Sequence, residues 1–434
     1  MALVLLSAPS CRDIGGNPQV PLMQRGAPAD VSGLPTPLEY QMRLNGRSFL
    51  QDNLWTHDHV QYAVWVDVAL NPIIGRREYK HGEWEVFDLS TLPGNPLDSP
   101  GERDQHNVYS LGVDSRGYVH VAGNMHVDRL RYVRTAESGN IRSWIAPGMV
   151  SRDENEVTYP TFVKPKDGEL IFLYRDGHPG FGNIIMNVFE PTTLTWSRLS
   201  KLIDGRSSGE SPYLQHVAVD EQGAIHVMFV WRSDPDPSSN SDISYARSPD
   251  GGRTWQRSDG ALLDQPITHA SSEVIVDTPP YGSGLLNGGG LDVTPSGSPH
   301  AAFVFRKGSG WQVRHVWLDD EGWHSEAIGP LDPGSTRPAV LTQGDDVFFL
   351  ATMPDRREME VVLLKVTAGS VESRIALMKI DVPGWEPTYD TYALDESGDL
   401  SMIVPLEAGS SGEGAIATFD LTRISGPLPH RDAA

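Results

Sequence analysis

The sequence predicts an all-β protein, a seven-bladed β-propeller built from four-stranded antiparallel blades. One observation is a strand–turn–strand unit that recurs along the chain, and the other is the lack of any long stretch with apolar residues at helical spacing. The 43 glycines and 33 prolines supply the many turns that such a fold needs. A single unit would leave its sheet faces exposed, whereas radial stacking of several units buries both faces.

The recurring unit is an alternating apolar run, a tight polar turn that ends in glycine, and a second apolar run. Six copies carry the turn glycine: Gly117, Gly168, Gly223, Gly297, Gly344 and Gly398. A four-stranded blade needs roughly 40–50 residues, so the spacing of these turns fits one blade for each, with room for loops. A further copy at 62–67 lacks the glycine turn and brings the number of units to seven.

The fourth unit contains Ser248-Pro-Asp-Gly-Gly-Arg-Thr-Trp255, which resembles the Asp-box turn of BNR repeats. The Asp250 carboxylate can accept hydrogen bonds from the backbone of the turn, glycine supplies a positive φ, and Trp255 can pack between sheets. The motif therefore indicates the fold, and we assign Asp250 a structural role.

No low-complexity linker divides the chain, so we expect one propeller domain over residues 46–434, preceded by an irregular N-terminal lead at 1–45. One strand of that lead is expected to close the ring against the last blade. The apolar start at 1–11 has no basic n-region and fits either the remnant of an export signal or a frayed terminus. Cys11 is the single cysteine, which rules out an intramolecular disulfide.

Charge and hydropathy exclude two classes of partner. The formal net charge of −22 argues against binding of nucleic acid through a general electrostatic field. No run of 18 apolar residues is present, so the sequence predicts no transmembrane helix. We expect a monomer that contacts neither nucleic acid nor membrane, and an anionic ligand would need a local cluster of arginine or lysine.

Polar residues concentrate in the second unit. His106 and His126 lie ten residues on either side of a hairpin centre near residue 116. Two such positions come opposite each other in an antiparallel hairpin, which predicts adjacent imidazoles at one mouth of the propeller. His120 lies in the middle of its strand and is interpreted as a packed histidine.

The third unit repeats this arrangement. Tyr159 and Arg175 lie eight residues on either side of a centre near residue 167, which predicts that they are cross-strand neighbours at the same mouth. A histidine and a tyrosine can exchange protons once a cation depresses the pKa of the tyrosine, and arginine offers a planar fork for a carboxylate. This set fits β-elimination from a uronate sugar, with arginine neutralising the carboxylate, one residue removing the C5 proton and another protonating O4. The chemistry requires no cofactor.

The chain resembles the BNR-4-type propellers that include ulvan lyases. The resemblance rests on the sequences His106-Asn-Val-Tyr, Gly117-Tyr-Val-His-Val-Ala-Gly-Asn-Met-His126, Thr158-Tyr-Pro, Tyr174-Arg-Asp-Gly and 244–255. It implies a seven-bladed propeller that cleaves a uronate-containing, rhamnose–glucuronate polysaccharide, and with that polymeric substrate a secreted or periplasmic location.

The resemblance also implies roles for single residues. His106 and His126 correspond to the active-site histidines, Tyr159 to the acid/base partner and Arg175 to the carboxylate neutraliser, with the assignment of base and acid between histidine and tyrosine left open. The implied substrate-binding residues are Asn107, Asn124, Tyr174 and Tyr213.

Some relatives hold a structural zinc with histidine and cysteine. Cys11 lies outside the predicted propeller, so a zinc here would use His178, His216 or His226 with water or a carboxylate. A structural zinc or calcium therefore remains an open alternative to a metal-free protein.

Two other functions remain open from the sequence. A propeller glycoside hydrolase of the sialidase or rhamnosidase kind would need a cluster of arginines, for which Arg76, Arg175 and Arg337 are candidates. A non-catalytic carbohydrate-binding propeller would keep the aromatic residues but would not need two histidines, a tyrosine and an arginine at one mouth. Both alternatives predict the same fold.

Overall fold

The computed structural model describes residues 22–424, apart from 102, 166–167, 308–309, 331–334, 356–357 and 407–411. Within these residues the chain forms seven sheets arranged as the blades of a propeller, so the predicted fold is confirmed. Cys11 and the apolar start of the chain lie outside the described residues. No helix among the described residues is long and apolar enough to cross a membrane.

The strands follow one another around the ring in chain order. Two short strands come first, β1 (Leu22–Arg25) and β2 (Asp30–Gly33). Blade one is β3 (Leu54–His57), β4 (Val60–Val66), β5 (Pro72–Glu78) and β6 (Glu85–Asp88). Blade two is β7 (Tyr109–Val113), β8 (Val119–Gly123), β9 (Tyr132–Thr135) and β10 (Trp144–Ile145). Blade three is β11 (Val157–Val163), β12 (Ile171–His178), β13 (Phe181–Glu190) and β14 (Thr195–Asp204).

The second half of the ring is built in the same way. Blade four is β15 (Ser211–Val219), β16 (Ile225–Arg232), β17 (Asn240–Ser248) and β18 (Glu273–Val276). Blade five is β19 (Gly290–Val293), β20 (Pro299–Lys307), β21 (Gly310–Asp319) and β22 (Gly322–Pro330). Blade six is β23 (Ala339–Gln343), β24 (Asp346–Asp355), β25 (Glu358–Thr367) and β26 (Ser370–Ile380). Blade seven has β27 (Asp399–Pro405) and β28 (Gly414–Asp420), and the two helices are α1 (Thr391–Ser397) and α2 (Leu421–Ile424).

The two N-terminal strands join the last two blades. β1 pairs in parallel with β26 of blade six, and β2 pairs antiparallel with β28 of blade seven. The sequence predicts an irregular lead at 1–45 with one closing strand, whereas the described part of this segment contains two strands. The division into a lead and a propeller domain at residue 46 stays a prediction.

The seventh unit differs from its prediction. The segment that ends at Gly398 is expected to form a strand and a tight turn, but it forms the helix α1. The Asp390 side chain accepts a hydrogen bond from the Ala393 N–H and caps the start of the helix, and Gly398, at φ 69°, caps its end. In place of an innermost strand, blade seven therefore has a single β-bridge, between Tyr389 and Met402.

Large aromatic side chains fill the space between blades. Trp255 of the Asp-box is completely buried, and its indole N–H donates to the Gly252 carbonyl. Asp250 accepts hydrogen bonds from the backbone N–H groups of Arg253 and Thr254 at 3.1 and 2.8 Å, and from the Thr254 hydroxyl at 2.7 Å. Asp250 thus fixes the turn, as the sequence predicts.

His120 is a packed histidine, also as predicted. It is completely buried, with Nδ1 2.7 Å from the Tyr132 hydroxyl and Nε2 3.6 Å from Asp114. Blade four repeats the arrangement, with His226 between the Tyr245 hydroxyl and Asp220 at 2.7 and 3.0 Å. Both histidines lie near the turn glycines, at the opposite end of the blades from the predicted mouth.

Candidate active site

The register of the β7–β8 hairpin brings His106 and His126 together. Tyr109 pairs with Gly123, and each histidine lies three residues beyond one of these two partners. Their rings are stacked with centroids 4.1 Å apart and an interplanar angle of 27°. The structure thus places the imidazoles side by side, as the hairpin geometry predicts.

A single carboxylate bridges the two imidazoles. Asp104 Oδ1 lies 2.9 Å from His106 Nδ1, and Asp104 Oδ2 lies 2.7 Å from His126 Nδ1. An ionised carboxylate only accepts hydrogen bonds, so both Nδ1 atoms carry a proton, and in a neutral ring this leaves Nε2 as the acceptor. The sequence patterns do not single out Asp104; its one local signal is the spacing of two residues, which lets Oδ1 also accept from the His106 backbone N–H at 2.7 Å.

The two asparagines beside this cluster hold its loop. Asn107 Oδ1 accepts from the Asp104 N–H at 2.8 Å, and its Nδ2 donates to Asn124 Oδ1 at 3.1 Å. Asn124 in turn donates to the Leu97 carbonyl and adopts a positive φ of 61°. Both side chains are buried, and these hydrogen bonds occupy their polar atoms, so in this structure the two asparagines hold the loop that carries Asp104 and His106.

Tyr159 and Arg175 meet, but they are not direct cross-strand partners. Arg175 pairs with Thr158, and a β-bulge follows between Thr158 and Thr161. Tyr159 lies in this bulge with φ 59°, which turns its ring over Arg175 at 5.0 Å from Cζ to the ring centroid. The predicted pairing is wrong by one residue, while the predicted contact is present.

Arg175 is buried between two tyrosine rings. Its Cζ is also 5.0 Å from the centroid of Tyr213, and Nη2 donates to the Thr158 hydroxyl at 3.0 Å. Nε has no acceptor, and no carboxylate of the described residues lies within ion-pair distance. The neighbouring Asp176 pairs with Arg206 at 3.0 Å and leaves Arg175 without a neutralising partner.

A second buried guanidinium lies beside the first. Arg232 stacks over Tyr213 at 4.0 Å and donates to its hydroxyl at 3.1 Å. Its other donors contact the side-chain oxygens of Asn240 and Asn287 at 2.7 and 2.6 Å. All these acceptors are neutral, so Arg232 adds positive potential to the same end of the ring.

An aromatic residue from outside the blades completes the mouth. Phe49 stacks on His106 with centroids 5.3 Å apart and meets the edge of Tyr159 at 5.4 Å. His106 and Tyr159 themselves lie 5.7 Å apart. A narrow cavity at the axis is lined by side chains that include Phe49, Tyr159, Arg175 and Tyr213. Phe49 carries no motif that would mark it in the sequence.

Tyr174 lies on the opposite face of its strand. It is completely buried, and its hydroxyl accepts a hydrogen bond from Arg198 Nη2 at 3.2 Å. Alternation along β12 turns Tyr174 away from Arg175, and Tyr174 is not among the residues that line the cavity at Arg175. Tyr213, by contrast, lines the cavity with its ring edge-on to Tyr159 at 5.9 Å.

Burial sets the protonation states of the histidine and the tyrosine. Burial, with the neighbouring His126, lowers the pKa of His106 to about 4, although Asp104 acts in the opposite direction. Burial raises the pKa of Tyr159, and Arg175 only partly offsets that effect. The expected depression of the tyrosine pKa is therefore wrong in direction. At neutral pH His106 is neutral and Tyr159 is protonated.

The three histidines proposed as zinc ligands do not converge. His178 is exposed and contacts the Pro179 carbonyl, His216 lines the axial cavity, and His226 lies in the Asp220–Tyr245 pair at the far end of blade four. Among the described residues, Asp104, His106 and His126 form the one group of donors close enough to hold a metal ion, with ligand atoms within 4.8 Å of one another.

The arginine cluster considered for a sialidase does not form. Arg76 pairs with Glu85 at 3.6 Å and donates to the Gly139 carbonyl on the outer part of blade one. Arg337 makes a bidentate ion pair with Glu386, in which Nε and Nη2 each donate to one carboxylate oxygen at 2.7 Å. Arg337 also lies 5.8 Å from the centroid of the Phe49 ring, at the mouth, but Arg76 does not join it and Arg175 in a triad.

The BNR_4 family, described as BNR repeat-containing family member, matches residues 60–329, which is more than half of the chain. The chain belongs to this family. The matched residues run from β4 of blade one into β22 of blade five and include His106, His126, Tyr159 and Arg175, but not Phe49. The sequence-based resemblance is thereby confirmed.

Solved structures share the fold over nearly the whole chain. A PL25 ulvan lyase has a TM-score of 0.70 and 14% identity, covering 91% of this chain and 95% of that chain. A PL25 ulvan lyase bound to -[GlcA(1-4)Rha3S]- gives 0.69 and 13% identity, with 91% and 95% covered. The polysaccharide lyase Uly1 gives 0.67 and 15% identity, with 86% and 90% covered. No curated protein matches this BNR_4 chain in sequence.

Proposed function

We propose that the protein is a polysaccharide lyase that cleaves a uronate-containing, rhamnose–glucuronate glycan by β-elimination. The observation that carries the proposal is the meeting of two bridged imidazoles, a tyrosine and an arginine without an acidic partner at one mouth of the propeller. The fold shared with ulvan lyases, one of them bound to -[GlcA(1-4)Rha3S]-, supports the choice of reaction and substrate.

Arg175 neutralises the substrate carboxylate. Proton loss at C5 is easier when the adjacent carboxylate is neutralised, because the enolate-like intermediate then carries less unbalanced charge. Arg175 has an unused Nε donor and no acidic partner, so its charge is available to the substrate. Arg232, which also stacks on the Tyr213 ring, strengthens the positive potential at this position.

His106 is the base and Tyr159 is the acid. Neutral His106, held by Asp104 at Nδ1, presents the Nε2 lone pair and removes the C5 proton. Tyr159 keeps its proton at neutral pH and donates it to O4 as the C4–O4 bond breaks and the C4–C5 double bond forms. Arg175, at 5.0 Å, stabilises the resulting phenolate until solvent returns the proton.

The remaining properties follow from the substrate. An anionic polysaccharide is the partner, and no cofactor takes part in the chemistry. An enzyme encounters a polysaccharide substrate outside the cytoplasm, so we propose a secreted or periplasmic enzyme.

The test is incubation with ulvan and a panel of other uronate polysaccharides, following the absorbance of the unsaturated uronate product. His106→Ala and Arg175→Ala should each abolish the signal while the variants remain folded, as circular dichroism would show, whereas the matched control Arg253→Ala, at an exposed arginine of the Asp-box, should keep it. Reducing sugar without new absorbance would indicate hydrolysis instead. If no polysaccharide of the panel gives either signal, the result would indicate a binding protein. Full activity of His106→Ala or of Arg175→Ala would refute the site.

A further inference from the structure

The cluster of Asp104, His106 and His126 has a second chemical capacity. Asp104 Oδ1 and Oδ2 lie 2.9 and 2.7 Å from the Nδ1 atoms of the two histidines, so both rings aim the same nitrogen at one carboxylate. One ligand atom from each of the three residues lies within 4.8 Å of the others. Two imidazole nitrogens and a carboxylate oxygen that converge in this way are a ligand set for a divalent transition metal ion.

The spacing of the cluster needs only a small change to admit an ion. Zinc binds imidazole nitrogen and carboxylate oxygen at about 2.0–2.2 Å, which places two tetrahedral ligands about 3.4 Å apart. The two nitrogen–oxygen distances are shorter than this by about 0.5–0.7 Å, because hydrogen bonds now take the place of metal bonds. The half-exposed Asp104 side chain can withdraw by this amount, and the partly exposed imidazoles leave the ion a path from solvent.

The charge of Asp104 is available to a metal ion. Among the described residues, the ion-pair partners of this carboxylate are the two histidines, and no arginine or lysine neutralises it. Arg175, the buried cation of the mouth, contacts the Tyr159 ring instead, with Cζ 5.0 Å from the ring centroid. An incoming cation therefore meets an unneutralised carboxylate at the point where both imidazoles aim a nitrogen.

Other histidine clusters of the described residues lack this convergence. His269 contacts Glu210 through Nδ1 and Asp242 through Nε2, so its two carboxylates lie on opposite sides of the ring. His300 Nδ1 and His315 Nε2 lie 2.9 Å apart, but no third ligand of the described chain completes that pair. The cluster at the mouth is thus the one that geometry favours for a metal ion.

We propose that Asp104, His106 and His126 form a binding site for Zn²⁺, and that the bound ion inhibits the lyase. A neutral histidine that binds a metal through Nδ1 carries its proton on Nε2. Each ring therefore gives up its Nδ1 proton and takes one from solvent at Nε2, with no net change in the number of protons. Nε2 of His106 then has no lone pair for the C5 proton. The inhibition rests on the lyase function proposed above, whereas the binding does not.

Calorimetric titration of the metal-free protein with ZnCl₂ in a non-chelating buffer tests the site without reference to activity. One ion should bind per chain, and Mg²⁺ should not compete, because it prefers oxygen ligands. His126→Ala and, independently, Asp104→Asn should each weaken binding by at least about tenfold, the loss that even an outer-shell partner causes. His324→Ala, at the exposed pair with Asp319, and Cys11→Ser, which removes the single thiol, should bind zinc as the wild type does.

Two further measurements test the inhibition. In the NMR spectrum of the imidazole nitrogens, zinc should move the proton of His106 from Nδ1 to Nε2. In the unsaturated uronate assay, Zn²⁺ should abolish turnover with a midpoint at the calorimetric Kd, and EDTA should restore it.

Absence of zinc binding to the wild type would overturn the site, as would binding of unchanged strength in a folded His126→Ala or Asp104→Asn variant. Full turnover by the zinc-saturated protein, or a His106 proton that stays on Nδ1, would overturn the inhibition. If the metal-free protein turns over no uronate polysaccharide, the lyase proposal fails by itself, and the calorimetric titration still decides the zinc site.

Discussion

Asp104→Asn should impair turnover by disturbing the two imidazoles, although Asp104 itself does no chemistry. The carboxylate accepts from Nδ1 of His106 at 2.9 Å and of His126 at 2.7 Å. An asparagine has one acceptor oxygen and one amide donor group, so it can satisfy only one Nδ1–H. The other ring must change tautomer, which moves its proton to Nε2 and removes the lone pair aimed at the substrate.

The size of the effect follows from the lost hydrogen bond. A hydrogen bond to a charged group contributes about 1.5–3 kcal/mol, and each 1.4 kcal/mol is a factor of ten in rate. The Asp104 side chain is 47% exposed, which weakens the bond, so we expect kcat to fall about 10- to 30-fold with little change in KM.

The pH profile separates this role from a purely structural one. Asp104 raises the pKa of His106 against the larger opposite effect of burial, so its neutralisation lowers that pKa further. A base is lost as pH falls through its pKa, and the acid limb of kcat should therefore move to lower pH in the variant.

The assay is the initial rate of unsaturated uronate formation, measured from acid to neutral pH. The matched control is Asp319→Asn, which removes the carboxylate of an exposed Asp–His pair on blade five, with His324 Nε2 at 2.7 Å. Wild-type kcat with an unmoved acid limb in Asp104→Asn would refute the bridging role. A shift of the same size in the control would assign the effect to general electrostatics.

Two further predictions concern stability. Asp250→Ala removes the carboxylate that holds the Asp-box turn and should lower the free energy of unfolding by about 1 kcal/mol in a denaturant titration, with kcat unchanged; a loss of activity in the folded variant would contradict its structural role. Burial raises the pKa of Asp292, which accepts from Thr342 of the next blade, to about 6. The folded state therefore keeps a proton that the unfolded state releases, so stability should fall as pH rises from about 4 to about 6, by at most about 3 kcal/mol. Asp292→Asn should flatten that fall, and an unchanged slope would show that another group causes it.

The sequence predicts those parts of the site that depend on a hairpin register. A tight turn and an alternating strand pattern together fix which residues face each other, so the partnership of His106 with His126 can be counted from the turn. Counting fails at Tyr159, because the bulge after Thr158 adds a residue to one strand without leaving a pattern in the sequence. The same counting cannot reveal α1, where the cap at Asp390 and the glycine at 398 favour a helix in place of a strand.

Contacts between distant segments are the other part that the sequence does not predict. Phe49, for example, reaches His106 from the segment before blade one. The burial of Asn107, Asn124 and Tyr174 depends on how whole blades pack, which no local sequence pattern predicts.

The pairing of β1 with β26 and of β2 with β28 has a consequence for how the chain folds. During synthesis the partners of residues 22–33 emerge only after almost the whole chain has been made, so the N-terminal segment must remain unpaired while the early blades assemble. Ring closure is therefore the last step, and its entropic cost grows only slowly with the length of the loop that it closes. In the closed ring, the N-terminal strands are held by hydrogen bonds to β26 and β28 near the C-terminus. A force applied to either terminus would therefore separate these strands at blades six and seven before it strained the blades that form the mouth.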